Sequence, residues 1–145
     1  MNEEHYRKLE RMYLNANLNK HYYDTTTIDI KHEEASISLE IHEKYFHALG
    51  AIHGSVYFKL LDDAAFFAVN SIVEDVFVLT TNFNIQLIRP ANKGKIIASG
   101  KVKFTSQNLW VAESSLVNER GKEIGFGSGN FMRSKVALSE EIGYK

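Results

Sequence analysis

The chain has 145 residues, of which 44% are hydrophobic and 24% charged; this composition fits one compact domain, and we expect a single domain over residues 1–145. The formal net charge is −1 and the lysines and arginines are scattered along the chain, which argues against nucleic acid as a partner. The absence of cysteine excludes disulfides, thiolate nucleophiles and sulfur-rich zinc sites.

The beginning of the chain predicts neither an export signal nor a membrane anchor. Glu3 and Glu4 are not followed by an apolar run, and no later segment approaches the ~20 apolar residues that cross a bilayer. We therefore expect a cytoplasmic protein that has no membrane partner.

Apolar residues at helical spacing predict an amphipathic helix over residues 3–19, within an N-terminal helical segment of residues 1–20. A weak strand is predicted at residues 26–31 and, after a hairpin through residues 32–34, a stronger one at residues 36–42. In the stronger strand apolar and polar residues alternate, which is typical of a strand with one buried face.

A long apolar segment predicts a central helix over residues 55–73 that is hydrophobic around most of its circumference. Four more strands are predicted, at residues 76–88, 95–105, 109–118 and 123–133. Because these strands do not alternate with helices, we expect an α+β fold in which a mostly antiparallel, curved sheet wraps around the central helix.

In the strand at residues 76–88, strict alternation places Thr80 on a polar face together with Asn82, Asn84 and Gln86. A polar face suits either the lining of a site or contact with solvent. The alternation alone does not separate these two interpretations.

Asp62 is the most informative residue of the predicted central helix. It falls on the helical stripe of Phe58 and Ala65, whereas Asp63 falls on the stripe of Lys59. An ionised acid in an apolar setting requires partners or a shifted pKa, so we predict that Asp62 is buried and is a candidate catalytic acid. A dimer interface or a satisfied hydrogen-bond network would explain such an acid equally well.

Residues 50–55, followed by Asp62, resemble the hotdog-fold acyl-CoA thioesterases of the phenylacetate-pathway type, and the resemblance covers roughly residues 36–135. In that family a His-Gly-Gly turn begins the central helix and an Asp nine residues after the His is the catalytic acid, a spacing that His53 and Asp62 reproduce here. The resemblance implies a hotdog core at residues 26–135, an acyl-CoA substrate, no metal, and no cofactor except the coenzyme A of the substrate. It also implies a homodimer that pairs into a dimer of dimers.

The same resemblance assigns further positions. Residues 82–85 and 89–91 resemble the family's third strand and its exit turn, and Thr80 takes the place of a hydroxyl residue that acts with the Asp. Ser55 replaces the second glycine of the turn, where we expect it to cap the helix. His47 replaces an Asn that contacts the thioester or the attacking water, and a neutral imidazole can still donate one hydrogen bond.

Thioester hydrolysis requires an activated water or nucleophile and hydrogen-bond donors for the carbonyl oxygen. The unpaired amides near Gly54, at the helix start, are predicted to form this oxyanion hole. Asp62 is predicted to act either as general base or as nucleophile, and Thr80 to orient the water or the Asp. Arg89 and Arg133 are candidate contacts for the coenzyme A phosphates, although surface charge is the simpler explanation of each.

The spacing between the two parts of the predicted site has a geometric consequence. Asp62 lies eight positions after Gly54, which corresponds to about 12 Å along a helix. This is too far for both to reach one carbonyl group. The hypothesis therefore requires a dimer, with the helix start of one chain facing Asp62 of the other.

A non-catalytic acyl-CoA sensor is the alternative function, because hotdog domains also bind ligands without turnover. A dehydratase of the same fold is a third option, but its pair of His and acid has no clear counterpart here. Residues 125–129 are rich in glycine but lack the G-x-G-x-x-G spacing of a nucleotide loop, and the histidines lack the spacing of a metal site.

Overall fold

A computed structural model describes residues 2–145, which contain six strands and three α-helices; the predicted order of an N-terminal helical segment, two strands, a central helix and four strands is confirmed. The helices are α1 (Glu3–Asn15), α2 (Asn17–His21) and α3 (Gly54–Asn70), and the strands are β1 (Thr27–Lys31), β2 (Glu34–Glu40), β3 (Val76–Leu87), β4 (Lys95–Thr105), β5 (Leu109–Val117) and β6 (Glu123–Ala137). Single turns of 3-10 helix lie at Glu43–Tyr45 and Glu140–Ile142. None of the helices within residues 2–145 is both long and apolar enough to cross a membrane.

The N-terminal helical segment is broken at Ala16. The prediction of one helix over residues 3–19 is wrong at this position, because Ala16 has an extended backbone with ψ 140°. The Asn2 side chain caps α1 by accepting the His5 N–H at 3.1 Å. One face of α1 is buried against the rest of the protein and includes Tyr6, Leu9, Met12 and Tyr13.

The strands form one antiparallel sheet in the order β1-β2-β4-β5-β6-β3. This leaves β1 and β3 as its two edges. β2 ends at Glu40, before the predicted residue 42, because the His42 ring accepts the Lys44 N–H and begins a 3-10 turn. The sheet packs around α3, which confirms the predicted α+β arrangement.

The helix α3 crosses the sheet at very short distance, and small residues make this crossing possible. A Cβ atom on Gly100 of β4 would lie 2.2 Å from the Ala64 carbonyl oxygen, so only glycine fits there. On the next strand the Ser114 hydroxyl donates to the Leu61 carbonyl at 2.7 Å. Eleven α3 residues are buried, as the apolar circumference predicts.

The side chain of Asn70 accounts for the end of α3, three residues before the predicted end at Val73. Its amide group donates to the Val73 carbonyl at 2.9 Å, and its Oδ1 accepts the Val78 N–H at 3.2 Å. A fully buried amide that binds the following loop and strand ends the helix at this position.

An extra residue in β3 decides which face Thr80 occupies. The pairing with β6 shifts by one residue between Thr80 and Asn82, which leaves Thr81 as a β-bulge. Before the bulge Thr80 points at α3, and after it Phe83 packs on the core. The prediction that Thr80 shares a polar face with Asn82 is therefore wrong, because the bulge reverses the alternation.

Candidate active site

Asp62 and Thr80 meet between α3 and β3. The Thr80 hydroxyl donates to Oδ1 of Asp62 at 2.8 Å. Asp62 is half-buried, whereas the helical pattern predicts a buried side chain. It lies about two turns along α3 from the helix start.

Burial raises the pKa of Asp62 to about 6. The hydrogen bond from Thr80 acts in the opposite direction because it stabilises the ionised form, the negative charge of Asp63 raises the pKa further, and Lys59 lowers it. A carboxyl group with this pKa is largely ionised at neutral pH and is a much stronger base than an ordinary aspartate.

Asp62 lies at the wall of an apolar cavity of about 600 Å³. The cavity is lined by residues from α1, α3, β3 and the C-terminal part of the chain: Met12, Tyr13, Ala16, Asp62, Asp63, Phe66, Phe67, Phe77, Leu79, Thr80, Val136 and Ile142. Its size falls in the range of about 300–1,000 Å³ that is common for small-ligand pockets. A carboxyl group with a raised pKa thus faces a space that can hold an apolar group.

The start of α3 presents an unpaired backbone donor. His53 is the N-cap, and its Nδ1 accepts the Ser55 N–H at 3.0 Å; the prediction that Ser55 caps the helix is wrong. The Val56 N–H donates to the His53 carbonyl at 2.9 Å. Among residues 2–145, no acceptor binds the Gly54 N–H, so this amide is free for a ligand at the positive end of the helix.

His47 lies in the loop ahead of α3 and is exposed. Its Nδ1 accepts the Leu49 N–H at 3.1 Å, so the neutral ring carries its proton on Nε2 and can donate from there. The same reasoning applies to His53, whose Nδ1 is also an acceptor. The two imidazoles and the Gly54 amide are thus the hydrogen-bond donors available at, and just before, the N-terminal end of α3.

The two parts of the candidate site are not brought together within one chain. Asp62 and Thr80 lie together, whereas His47, His53 and Gly54 lie at the N-terminal end of α3. The separation of about 12 Å along α3 follows from the helical rise, and it holds because the helix is unbroken from Gly54 to Asn70.

The edge strand β3 has two features that favour contact with another chain. It is an edge of the sheet, so one side of its 12-residue backbone has no neighbouring strand among the described residues. Beside this edge Phe58, Leu79 and Leu87 are 40%, 48% and 51% exposed. Exposed large apolar side chains along an unpaired edge favour association with another chain.

The two arginines predicted to contact coenzyme A already have partners within the chain. Arg133 forms an ion pair with Asp75, and Nη1 of Arg89 donates to the Glu123 carbonyl at 2.5 Å. Arg89 is exposed and keeps further N–H donors for a phosphate, whereas the Arg133 guanidinium is balanced by a carboxylate.

Sequence reasoning missed the role of the second acid. Asp63 Oδ2 accepts from Lys59 Nζ at 2.7 Å and from the Tyr13 hydroxyl at 2.6 Å. The spacing of four residues between Lys59 and Asp63 was a readable signal, but nothing local points to Tyr13, which is fifty residues away. This contact attaches α1 to the side of α3 that carries the candidate site.

No group of three or more His, Asp or Glu side chains within residues 2–145 is arranged to hold a metal ion. The groups of the candidate site described above are carboxyl, hydroxyl, imidazole and backbone amide groups. Such groups are sufficient for acid–base chemistry on a carbonyl compound.

The sequence profile of the Thioesterase superfamily matches residues 49–124, which include the start of α3, Asp62 and Thr80. No curated protein sequence matches the chain significantly.

Solved structures show the same fold at low sequence identity. The PaaI protein of the Escherichia coli phenylacetic acid degradation operon is 21% identical, with a TM-score of 0.81 over 94% of this chain and 97% of that one. A phenylacetic acid degradation-related protein of Ralstonia eutropha is 17% identical, with a TM-score of 0.76 over 88% of this chain and 98% of that one. A variant of PaaI from Thermus thermophilus is 21% identical, with a TM-score of 0.68 over 75% and 93% of the two chains. These likenesses confirm the predicted hotdog fold.

Proposed function

Since this chain belongs to the Thioesterase superfamily, we propose that it hydrolyses acyl-CoA thioesters to free coenzyme A and a carboxylic acid. The observation that carries the proposal is the half-buried Asp62 carboxyl group, which binds Thr80 at 2.8 Å and faces an apolar cavity. Coenzyme A enters only as part of the substrate, and the proposed chemistry uses no further cofactor.

In the proposed reaction ionised Asp62 takes a proton from a water molecule while the water oxygen attacks the thioester carbonyl carbon. The C–S bond then breaks, the acyl group leaves as a carboxylic acid, and the sulfur of coenzyme A takes up the proton. The Thr80 hydroxyl holds the carboxyl group in place. Attack by the Asp62 carboxylate itself, giving an anhydride that water then hydrolyses, is the other route.

The Gly54 N–H is the proposed donor to the carbonyl oxygen, on which negative charge develops in the transition state. It is unpaired, it lies in the first turn of α3, and the absence of a side chain lets a carbonyl group approach. The Nε2–H groups of His53 and His47 are proposed to help orient the thioester or the water. Each ring is exposed at the same end of α3.

The proposal requires two chains. Because Gly54 and Asp62 lie about 12 Å apart along α3, each active site combines the helix start of one protomer with Asp62 of its partner. The free β3 edge and the exposed Leu79 and Leu87 beside it support a homodimer formed on this side. We further propose that two such dimers assemble, and that Arg89, with Arg133 as a second candidate, meets the phosphates of coenzyme A.

The test is a panel of acyl-CoA thioesters with detection of the free thiol. Wild type is compared with Asp62→Asn and with Asp29→Asn, a matched change at an exposed carboxyl group of β1. We expect turnover to fall by about 10²–10⁴-fold in the first variant only, as for loss of a general acid–base group. Equal turnover in all three proteins would remove Asp62 from the mechanism. Binding of the thioesters without turnover by wild type would contradict hydrolysis and favour a sensor.

A further inference from the structure

The two ends of the chain join each other beside the Asp62 cavity. Nε of Arg11 donates to the Lys145 carbonyl at 2.7 Å, and the buried His5 ring binds the Tyr144 hydroxyl at 2.7 Å. A Cβ atom on Gly143 would lie 3.5 Å from the Cα atom of Met12 in α1, so the two segments are close neighbours. The contacts join α1 to the 3-10 turn Glu140–Ile142, and together these two elements form one wall of the cavity.

The position of this wall is set by a charged cluster on α3. Lys59 Nζ lies 2.7 Å from Asp63 and 3.0 Å from the Tyr13 hydroxyl, which itself donates to Asp63 at 2.6 Å. The Tyr13 ring also packs edge-on against Phe67 at 4.9 Å between centroids. Since Lys59 and Asp63 balance each other's charge, the cluster anchors α1 and leaves little net charge at the wall.

Apart from Asp62, Thr80 and the charged cluster, the lining is apolar. Phe66, Phe67 and Met12 form the buried inner part, whereas Ala16, Leu79 and Val136 are exposed at the opening. The lining, as far as residues 2–145 show, contains no lysine or arginine. The phosphates of coenzyme A therefore find no partner inside the cavity, while a hydrocarbon group would gain about 25 cal/mol for each Å² removed from water.

We propose, resting on the thioesterase function above, that this cavity binds the acyl group of the substrate and that Ala16 and Ile142 limit its size, so that the enzyme prefers compact, uncharged acyl groups. Ala16 lies at the break between α1 and α2 and faces the cavity with the smallest side chain at the opening. Ile142 faces it from the C-terminal turn. A negatively charged acyl group is disfavoured because it would lie in apolar surroundings beside ionised Asp62.

Substitution at Ala16 tests the size limit without disturbing the core. Ala16 is exposed and has φ −60° and ψ 140°, a conformation that any residue adopts, so Ala16→Trp fills the opening without backbone strain. Ile142→Ala enlarges the cavity from the other side. Leu14→Trp is the matched control, because Leu14 is exposed on α1, two residues before Ala16, but does not line the cavity.

The variants are compared in kcat/KM over straight-chain acyl-CoA thioesters from acetyl to palmitoyl, with succinyl-CoA as the charged case. Ala16→Trp is expected to lower kcat/KM about tenfold or more for the longest acyl group that wild type accepts and to leave the shortest one unchanged. Ile142→Ala is expected to move the limit to longer chains. Leu14→Trp should keep the wild-type profile, and all forms should disfavour succinyl-CoA.

A binding measurement separates this inference from the proposed reaction. The Kd of S-alkyl thioethers of coenzyme A, which cannot be hydrolysed, is measured by calorimetry for the same proteins. If the proteins hydrolyse acyl-CoA but neither Ala16→Trp nor Ile142→Ala changes the chain-length profile, the cavity does not bind the acyl group, while the proposed thioesterase function is retained. If these substitutions shift the dependence of Kd on alkyl-chain length but no protein hydrolyses acyl-CoA, the thioesterase function is overturned and the role of the cavity in binding the acyl group is supported.

Discussion

The Thr80 hydroxyl donates a 2.8 Å hydrogen bond to Oδ1 of Asp62 and joins the edge strand β3 to the central helix α3 at the candidate site. This bond opposes the effect of burial, which raises the pKa of Asp62 to about 6. Thr80 thus keeps the carboxyl group oriented and ionisable in surroundings that favour its neutral form.

Removal of the Thr80 hydroxyl is expected to move the pH dependence of catalysis. In Thr80→Val the ionised form of Asp62 loses its donor, so its pKa rises and the rising limb of kcat/KM shifts to higher pH. At neutral pH we expect a loss of about tenfold or more. The measurement is a pH–rate profile, and Thr80→Ser, which keeps the hydroxyl, should retain the wild-type profile. An unshifted profile in Thr80→Val would show that the bond has no bearing on Asp62.

Wild-type activity is expected to increase with pH and to reach half of its plateau near pH 6. The reason is that Asp62, whose pKa is about 6, must be ionised to act as base or nucleophile. Initial rates on one thioester between about pH 4.5 and pH 8, in buffers of constant ionic strength, check this. A plateau that extends below about pH 5 would mean that the reactive group is an ordinary, exposed carboxyl group.

Asp62→Asn is expected to stabilise the folded protein at neutral pH while it removes activity. Burial raises the pKa of Asp62 from 3.8 to about 6, so the folded state holds the proton more tightly than the unfolded state and loses stability as pH rises through this window. Asn resembles the protonated acid and avoids this loss. Because the group is only half-buried, we expect a gain of about 1–2 kcal/mol.

Thermal or urea unfolding at about pH 7.5 and pH 4 measures this difference. The gain should be present at the higher pH and should nearly vanish at the lower one, where Asp62 is protonated in the folded state. Asp29→Asn, at an exposed position of β1, provides the control for the amide substitution itself. If Asp62→Asn is less stable than wild type at the higher pH, the ionised Asp62 carboxylate does not destabilise the folded protein, and the explanation by burial is contradicted.

Gly54→Pro is expected to lower activity strongly with little effect on the fold. Proline is favoured at the first position of a helix, where its missing N–H costs no internal hydrogen bond, and His53 has ψ 149°, as a residue before proline prefers. The substitution therefore deletes the proposed oxyanion donor without breaking a hydrogen bond of the helix. Gly54→Ala keeps the donor, and its Cβ would meet only the end of the Leu87 side chain at 3.4 Å.

Removal of one oxyanion donor typically costs about 10²–10³-fold in kcat, which is the loss expected for Gly54→Pro. Gly54→Ala should be much more active, and circular dichroism should show both variants folded. If the two variants are equally active, the Gly54 amide has no part in the reaction.

Mixed dimers test whether the active site spans two chains. In a dimer of one Asp62→Asn chain and one Gly54→Pro chain, one site receives both wild-type groups and the other receives neither. Co-expression of the two inactive variants is thus expected to restore about a quarter of wild-type activity, because half of the randomly formed dimers are mixed and each has one intact site. No recovery in purified, doubly tagged mixed dimers would place both groups of a site on the same chain.

The sequence by itself determined the order of the main elements and the position of Asp62 on the central helix. Apolar periodicity predicts α3 and the strands because it reports which side of an element faces the core, and this property is local. The spacing from His53 to Asp62 depends only on the helical repeat, so their separation along α3, on which the proposal of a two-chain site rests, follows from the sequence alone.

Only the tertiary structure decided which groups surround Asp62. The bulge at Thr81 turns Thr80 toward α3, and it arises from the pairing of β3 with β6, which no window of sequence contains. The Tyr13 contact to Asp63 and the wall made by both chain ends join residues that are far apart along the chain. Such contacts depend on how whole elements pack, so periodicity within one element cannot specify them.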